Sequence, residues 1–159
     1  MSDTLYFKII GIGTPPSFKN GKIIVRVPGG GQRLVTRADR AKWMRQAIKQ
    51  LETQRVEHGI KRAEKNTGKW NKVKRTDGRS VRVHVKWDGK GRLADPDGML
   101  STVMDCLVRS GVLADDSPRY VTSACAGWHY NPESPSDVCI AIWQETLEET
   151  DWYDKKKGK

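Results

Sequence analysis

The sequence predicts an α+β domain in which a mixed β-sheet is packed by two main helices. Three observations carry that expectation. Val81, Val83, Val85 and Trp87 alternate with Arg82, His84, Lys86 and Asp88, the period-two pattern of a strand that buries one face. Two other stretches, about 37–60 and 99–110, repeat their apolar residues at helical spacing. Short apolar runs near both ends of the chain, bounded by Gly, Pro and polar residues, have the length and composition of strands.

The chain opens on a strand over residues 4–11. It is closed by Gly13-Thr14-Pro15-Pro16-Ser17, because two prolines cannot donate to a ladder and hold the backbone extended. Lys22 to Val27 and Gln32 to Val35 read as a hairpin around Pro28-Gly29-Gly30-Gly31. Thr36 is the expected N-cap of the first helix. Its inner stripe is Met44, Ala47, Ile48, Leu51 and Val56, with Arg40, Lys42, Arg45, Lys49 and Gln50 on the remaining surface. Residues from about 61 to 80 are polar and basic and read as a loop leading into the alternating strand. His84 shares the polar face of that strand with Arg82 and Lys86, and reads as a surface residue rather than a metal ligand. Met99, Leu100, Val103, Met104, Leu107 and Val108 form the second helix, which Gly111 stops. Val138 to Trp143 is the last strand, and the residues after it are a charged terminus.

A chain of 159 residues with 36% hydrophobic content suits one globular domain. We place it at residues 1–147, with the basic loop at about 61–80 and a charged tail at 148–159. No apolar run reaches the roughly 18–20 residues that span a bilayer, and the N-terminus lacks the pattern of a signal peptide. The expectation is a cytoplasmic protein with no membrane partner. Cys106, Cys125 and Cys139 are odd in number and lack zinc-type pairing, so they are expected to be reduced and buried.

Charge is distributed unevenly. Residues 1–94 hold 23 Lys and Arg against 7 Asp and Glu, a balance of +16, while residues 95–159 hold 6 against 12, or −6. An excess of this kind favours a polyanionic partner. In and beside the basic loop, Lys69, Lys72, Lys74, Arg75, Arg79 and Arg82 are expected along phosphates, and Trp70 is available to stack on a base or sugar. A solvated linker is the other reading of those charges.

Against this basic background stands an acidic island: Asp95 and Asp97 in Arg92-Leu93-Ala94-Asp95-Pro96-Asp97, and Asp116 next to Asp115. Pro96 biases Asp95 to an extended conformation, in which residues i and i+2 project to one side, so Asp95 and Asp97 can converge. Asp97 also has a simpler reading as a helix cap. The second helix is roughly 20 Å long at 1.5 Å per residue. Asp116 therefore meets the pair within one subunit only if the following strand folds back beside the helix, and otherwise meets a partner's pair. Asp105, about two turns from Asp97, reads either as a further ligand or as a helix-surface residue paired with Arg109 at i+4.

The run Asp95 to Val121, DPDGMLSTVMDCLVRSGVLADDSPRYV, resembles the central segment of the RusA family of Holliday junction resolvases. The Asp-x-Asp pair, Asp105 within the helix, Gly111 and Leu113-Ala114-Asp115-Asp116 stand in register with the family pattern. Pro15-Pro16-Ser17-Phe18-Lys19-Asn20 after the first strand also agrees, and the likeness covers about residues 5–145. Two positions depart from it: Gly98 stands where the family usually has Asn, and Ser101 where it carries a functionally important Lys. Lys86, Lys90 or Arg92 is expected to supply the missing cation.

The resemblance implies a RusA-like fold, a homodimer and cleavage of branched DNA at four-way junctions by paired phosphodiester nicks. Asp95, Asp97 and Asp116 would be its catalytic metal ligands, with Asp115 auxiliary. Carboxylates without His or Cys suit Mg2+, with Mn2+ as substitute, rather than zinc. Two other readings stand beside the nuclease: a catalytically impaired junction-binding or DNA-binding module of the same fold, and a nucleic-acid-binding protein whose aspartates are caps and surface charges.

Overall fold

The computed structural model describes residues 4–17, 22–64, 78–118 and 120–144. In chain order the elements are β1 (Leu5–Ile10), β2 (Lys22–Val27), β3 (Gly31–Thr36), α1 (Ala38–Glu57), β4 (Arg79–Trp87), α2 (Pro96–Arg109), β5 (Val121–Tyr130) and β6 (Asp137–Gln144). Four strands form one sheet in the order β1-β6-β4-β5, and β2 and β3 pair as a separate hairpin. β6 runs antiparallel to both β1 and β4, whereas β5 runs parallel to β4. The sheet is therefore mixed, and β4-α2-β5 is a crossover unit of two parallel strands joined by a helix. The predicted α+β class, a mixed sheet with two helices, is what the chain adopts.

Alternation in β4 has the consequence expected of it. Val81, Val83 and Val85 are buried while Arg82 and His84 are exposed. Register extends that row across the sheet, matching Val83 with Ile140 and Ile140 with Phe7, then Val85 with Val138 and Val138 with Ile9. Trp43, Met44, Ala47 and Leu51 of α1 and Met99, Val103 and Leu107 of α2 join these residues in one hydrophobic core. Each such large side chain contributes about 1.5–3 kcal/mol on burial.

The first helix departs from its expected form. Thr36 ends β3, and Arg37 stands at the N-cap without a side-chain hydrogen bond. Val56 is 66% exposed, and the inner stripe runs instead through Arg40, Trp43, Met44, Ala47 and Leu51. Trp43 is seated by its indole N–H, which donates to Gly13 O at 3.2 Å. Arg40, expected on the surface, is only 3% exposed because its guanidinium faces Asp105 of α2, with Nη2 3.5 Å from Oδ2.

One side of α1 also closes an edge of the sheet. Gln54 exchanges two hydrogen bonds with the backbone of Lys8, at 2.8 and 2.6 Å, and Gln50 does the same with Ile10, at 2.9 and 2.8 Å. One turn further, His58 Nε2 lies 3.1 Å from Tyr6 O. Steps of four along a helix match steps of two along a strand, so the amides take the place of a neighbouring strand on β1. Replacing both glutamines by alanine removes the four hydrogen bonds that join α1 to β1. The unfolding free energy is expected to fall by about 2 kcal/mol, at roughly 0.5 kcal/mol per partly exposed bond. Urea unfolding measures this, and a loss below about 0.5 kcal/mol would mean that water replaces the amides without cost.

β5 is the element least visible in the sequence. Its ten residues, VTSACAGWHY, are small or aromatic, and eight-residue stretches of it show no clean alternation because it forms an edge and is exposed along most of its length. Cys125 on this strand and Cys139 on β6 are exposed, and only Cys106 is buried, which corrects the expectation of three buried thiols. Burial pushes the Cys106 thiol up to about 12. All three cysteines are free.

Candidate functional site

Pro96 occupies the first turn of α2, where its missing N–H is no loss. Asp95 precedes it as the N-cap in an extended conformation, φ −64° and ψ 150°, as a residue before proline should be. Asp97 is therefore the second residue of the helix rather than its cap. Its carboxylate still faces the positive end of the helix dipole from the first turn.

The proline turn after β1 packs directly on this helix start. Thr102 Oγ1 donates to Pro16 O at 2.6 Å, and Ser17 Oγ donates to Asp95 Oδ1 at 3.4 Å. Two segments 78 residues apart in sequence thus meet around one carboxylate. Gly98 is buried in the same contact. A Cβ there would overlap Ser17 Oγ and come within 2.7 Å of Asp95 Oδ1. A side chain at this position would therefore push the Ser17 and Asp95 side chains apart. Substituting Gly98→Asn should separate Ser17 from Asp95 and destabilise the fold by about 1 kcal/mol, the overpacking cost less the gain in helix propensity. A thermal melt at or above that of the parent chain would refute this packing role.

Asp97, Ser101 and Asp105 follow at intervals of four on α2 and so line one side of it. Ser101 Oγ donates back to Asp97 O at 3.0 Å. Asp116 reaches this side from the turn after the helix. It shares a cavity of about 300 Å³ with Leu100, Ser101, Met104, Asp105, Val121 and Ala124. The chain thus folds back beside α2, and the carboxylate it brings lies against the middle of the helix. Asp115 next to it is partly buried, while Asp95, Asp97 and Asp116 are exposed. Asp105, expected to pair with Arg109, directs Oδ2 to Arg40. Among the described residues no three His, Cys, Asp or Glu side chains form a group able to hold a metal ion.

The candidate cations separate into two sets. Arg82 and Lys86 lie on the sheet face opposite the core, where Arg82 stands over Trp143 at 5.9 Å and Lys86 Nζ forms a 2.8 Å ion pair with Asp137. Arg79 is exposed at the start of β4. Lys90 and Arg92 are exposed on the turn that runs from β4 into α2. Asp88 shapes that turn: its carboxylate accepts from Lys90 N at 3.0 Å, which holds its pKa below the usual value. Lys69, Trp70, Lys72, Lys74 and Arg75 lie outside the described residues, as do Phe18, Lys19, Asn20 and the C-terminal tail.

His84 is on the exposed face as expected, stacked on His129 with their ring nitrogens 2.5 Å apart. Sequence patterning did not single out His129, Trp128 or Tyr130, because these follow from a strand that was not itself legible. The C-terminal end of α2 is held by arginines from two sides, Arg55 Nε donating to Ser110 O at 3.1 Å and Arg62 Nη2 to Arg109 O at 3.0 Å. Positive charge suits that end of a helix. Gly111, at φ 74°, lets the stem of Arg62 pass where a side chain would block it.

No protein-family model matches the chain, and no curated protein matches it either.

Proposed function

We propose that the protein is a Mg2+-dependent, structure-selective DNA endonuclease of RusA type that resolves four-way junctions by paired nicks. The observation that carries this reading is the return of Asp116 to the side of α2 that bears Asp97 and Ser101. Carboxylates far apart in sequence thereby flank one helix in a strongly basic chain. The contact of Ser17 with Asp95 supports it further, since the two segments that resemble the family touch each other.

The donor set is all carboxylate oxygen, which suits a hard divalent ion. Magnesium is commonly held by one or two carboxylates, with water and substrate phosphate completing its shell, so a closed three-residue group in the chain alone is not required. Asp95, Asp97 and Asp116 are the proposed ligands, although the described residues do not gather the three into one group, and a bound ion would lower the pKa of its water and offset charge on the phosphate. The remaining work belongs to the chain. Ser17 restrains the Asp95 carboxylate. Lys90 and Arg92 bring phosphates toward a surface that its aspartates alone would repel. A homodimer would match the two-fold symmetry of a junction.

A synthetic four-way junction incubated with Mg2+ or Mn2+ tests the reading. Paired nicks near the branch point are expected, and an intact junction under both ions would overturn it. The second reading, a junction-binding module without turnover, is favoured by one observation. Where a lysine is expected there is Ser101, whose hydroxyl is engaged by Asp97 O. Binding without cleavage in either ion would select it.

A further inference from the structure

We propose that Trp128 and Tyr130, backed by Trp87, form a stacking platform for unpaired bases of a DNA strand whose phosphates are held by Lys90 and Arg92. The substrate class and the roles of Lys90 and Arg92 rest on the DNA-processing function above, but the aromatic side chains are a separate set. β4 and β5 are parallel, so Trp87 and Tyr130 end side by side, and Trp128 lies beside Val85. Trp128 is 46% exposed and Tyr130 59%, unusual for aromatic rings of this size without a partner to cover them.

The rings are nevertheless fixed in place. Trp87 meets Trp128 edge-on at 6.0 Å and Tyr130 at a tilt of 58° at 5.9 Å. Its indole N–H donates to Lys90 O at 3.3 Å. Gly89, at φ 84°, passes so close to Tyr130 that a Cβ would come within 2.8 Å of its ring. Held rings lose little conformational entropy when a flat ligand lands on them, and every base offers such a face. Charge selects nucleic acid over an apolar protein partner: Lys90 and Arg92 are exposed on the turn that packs on these rings, in a chain of net charge +10. Asp95 is five positions after Lys90, at most about 18 Å of chain, so a strand on the platform lies near the start of α2.

Fluorescence anisotropy with labelled oligothymidine and with a blunt duplex of equal length tests this, in EDTA so that neither metal nor cleavage enters. Trp128→Ala and Tyr130→Ala should each weaken oligothymidine binding about 5- to 100-fold, the range for loss of one stacked base, and duplex binding less than about twofold. Trp128→Phe should retain most of the affinity. Unchanged oligothymidine binding by Trp128→Ala would assign the patch to a protein partner and overturn the proposal, as would equal losses for both DNAs. A chain that binds oligothymidine through these rings but never nicks a junction would overturn the nuclease reading and leave the platform standing.

Discussion

Replacing Asp97 by asparagine is expected to reduce metal-dependent nicking of a four-way junction on the order of 10²- to 10³-fold, while leaving the fold intact. Loss of one charge-stabilising group at a reacting centre has that magnitude. The amide keeps the shape of the carboxylate but neither its charge nor its affinity for a hard cation. Stability should change little, since Asp97 is exposed and its interaction with the helix terminus is worth only about 0.3–1 kcal/mol. Single-turnover nicking beside a thermal melt separates the two effects. Equal rates for parent and variant would remove Asp97 from the reaction. Asp116→Asn should behave the same way, because exposed Asp116 lines one cavity with Ser101, which lies one helical turn from Asp97.

The opposite pattern is expected at Asp105, where substitution should cost stability first. Arg40 is 3% exposed and Asp105 is about a third exposed, with the pair joining α1 to α2 at 3.5 Å. Breaking a buried ion pair by removing one partner commonly costs about 3–5 kcal/mol, because the other charge stays desolvated. Partial exposure of Asp105 places Asp105→Ala at the lower end, about 3 kcal/mol. Replacing both residues by apolar ones of similar volume, Arg40→Met with Asp105→Leu, should recover most of the loss, since the desolvation cost disappears with the charges. Urea unfolding of the three variants measures this. A loss below about 1 kcal/mol for Asp105→Ala would show that the guanidinium does not depend on that carboxylate.

The contrast between Asp97 and Asp105 shows how far local pattern reaches. Both lie on one side of α2 and look alike in sequence, and helical spacing put Asp105 beside Arg109. Its partner is Arg40, about 65 positions earlier, on a helix whose packing angle no local rule supplies. Arg40 itself was placed on the surface because arginines usually are. Trp43, absent from the expected apolar stripe, belongs to the buried side of α1, while Val56 falls on its exposed side. Lys86 was a candidate replacement for the absent lysine, but alternation along β4 carries it to the face opposite the core, where it meets Asp137. Lys90 and Arg92 keep their place on the turn before α2. The two helices, the hairpin, β1, β4 and β6 were all legible, because each carries its own periodicity or turn signal. β5 carries neither, since an exposed edge strand needs no buried face.

The sequence by itself determined the mixed α+β class, the positions of both helices to within a few residues, and the concentration of aspartates in a basic chain. Those follow from periodicity, turn chemistry and charge, which act over a few residues at a time. Only the tertiary structure decided that Asp116 returns to the middle of α2, that Gly98 is the gap into which Ser17 fits, and that three aromatic rings gather where β4 and β5 end. These depend on strand order, on the parallel run of β5 beside β4, and on which surfaces come within a few ångströms. The relevant energies are contacts between residues far apart in the chain, and no local spacing encodes them.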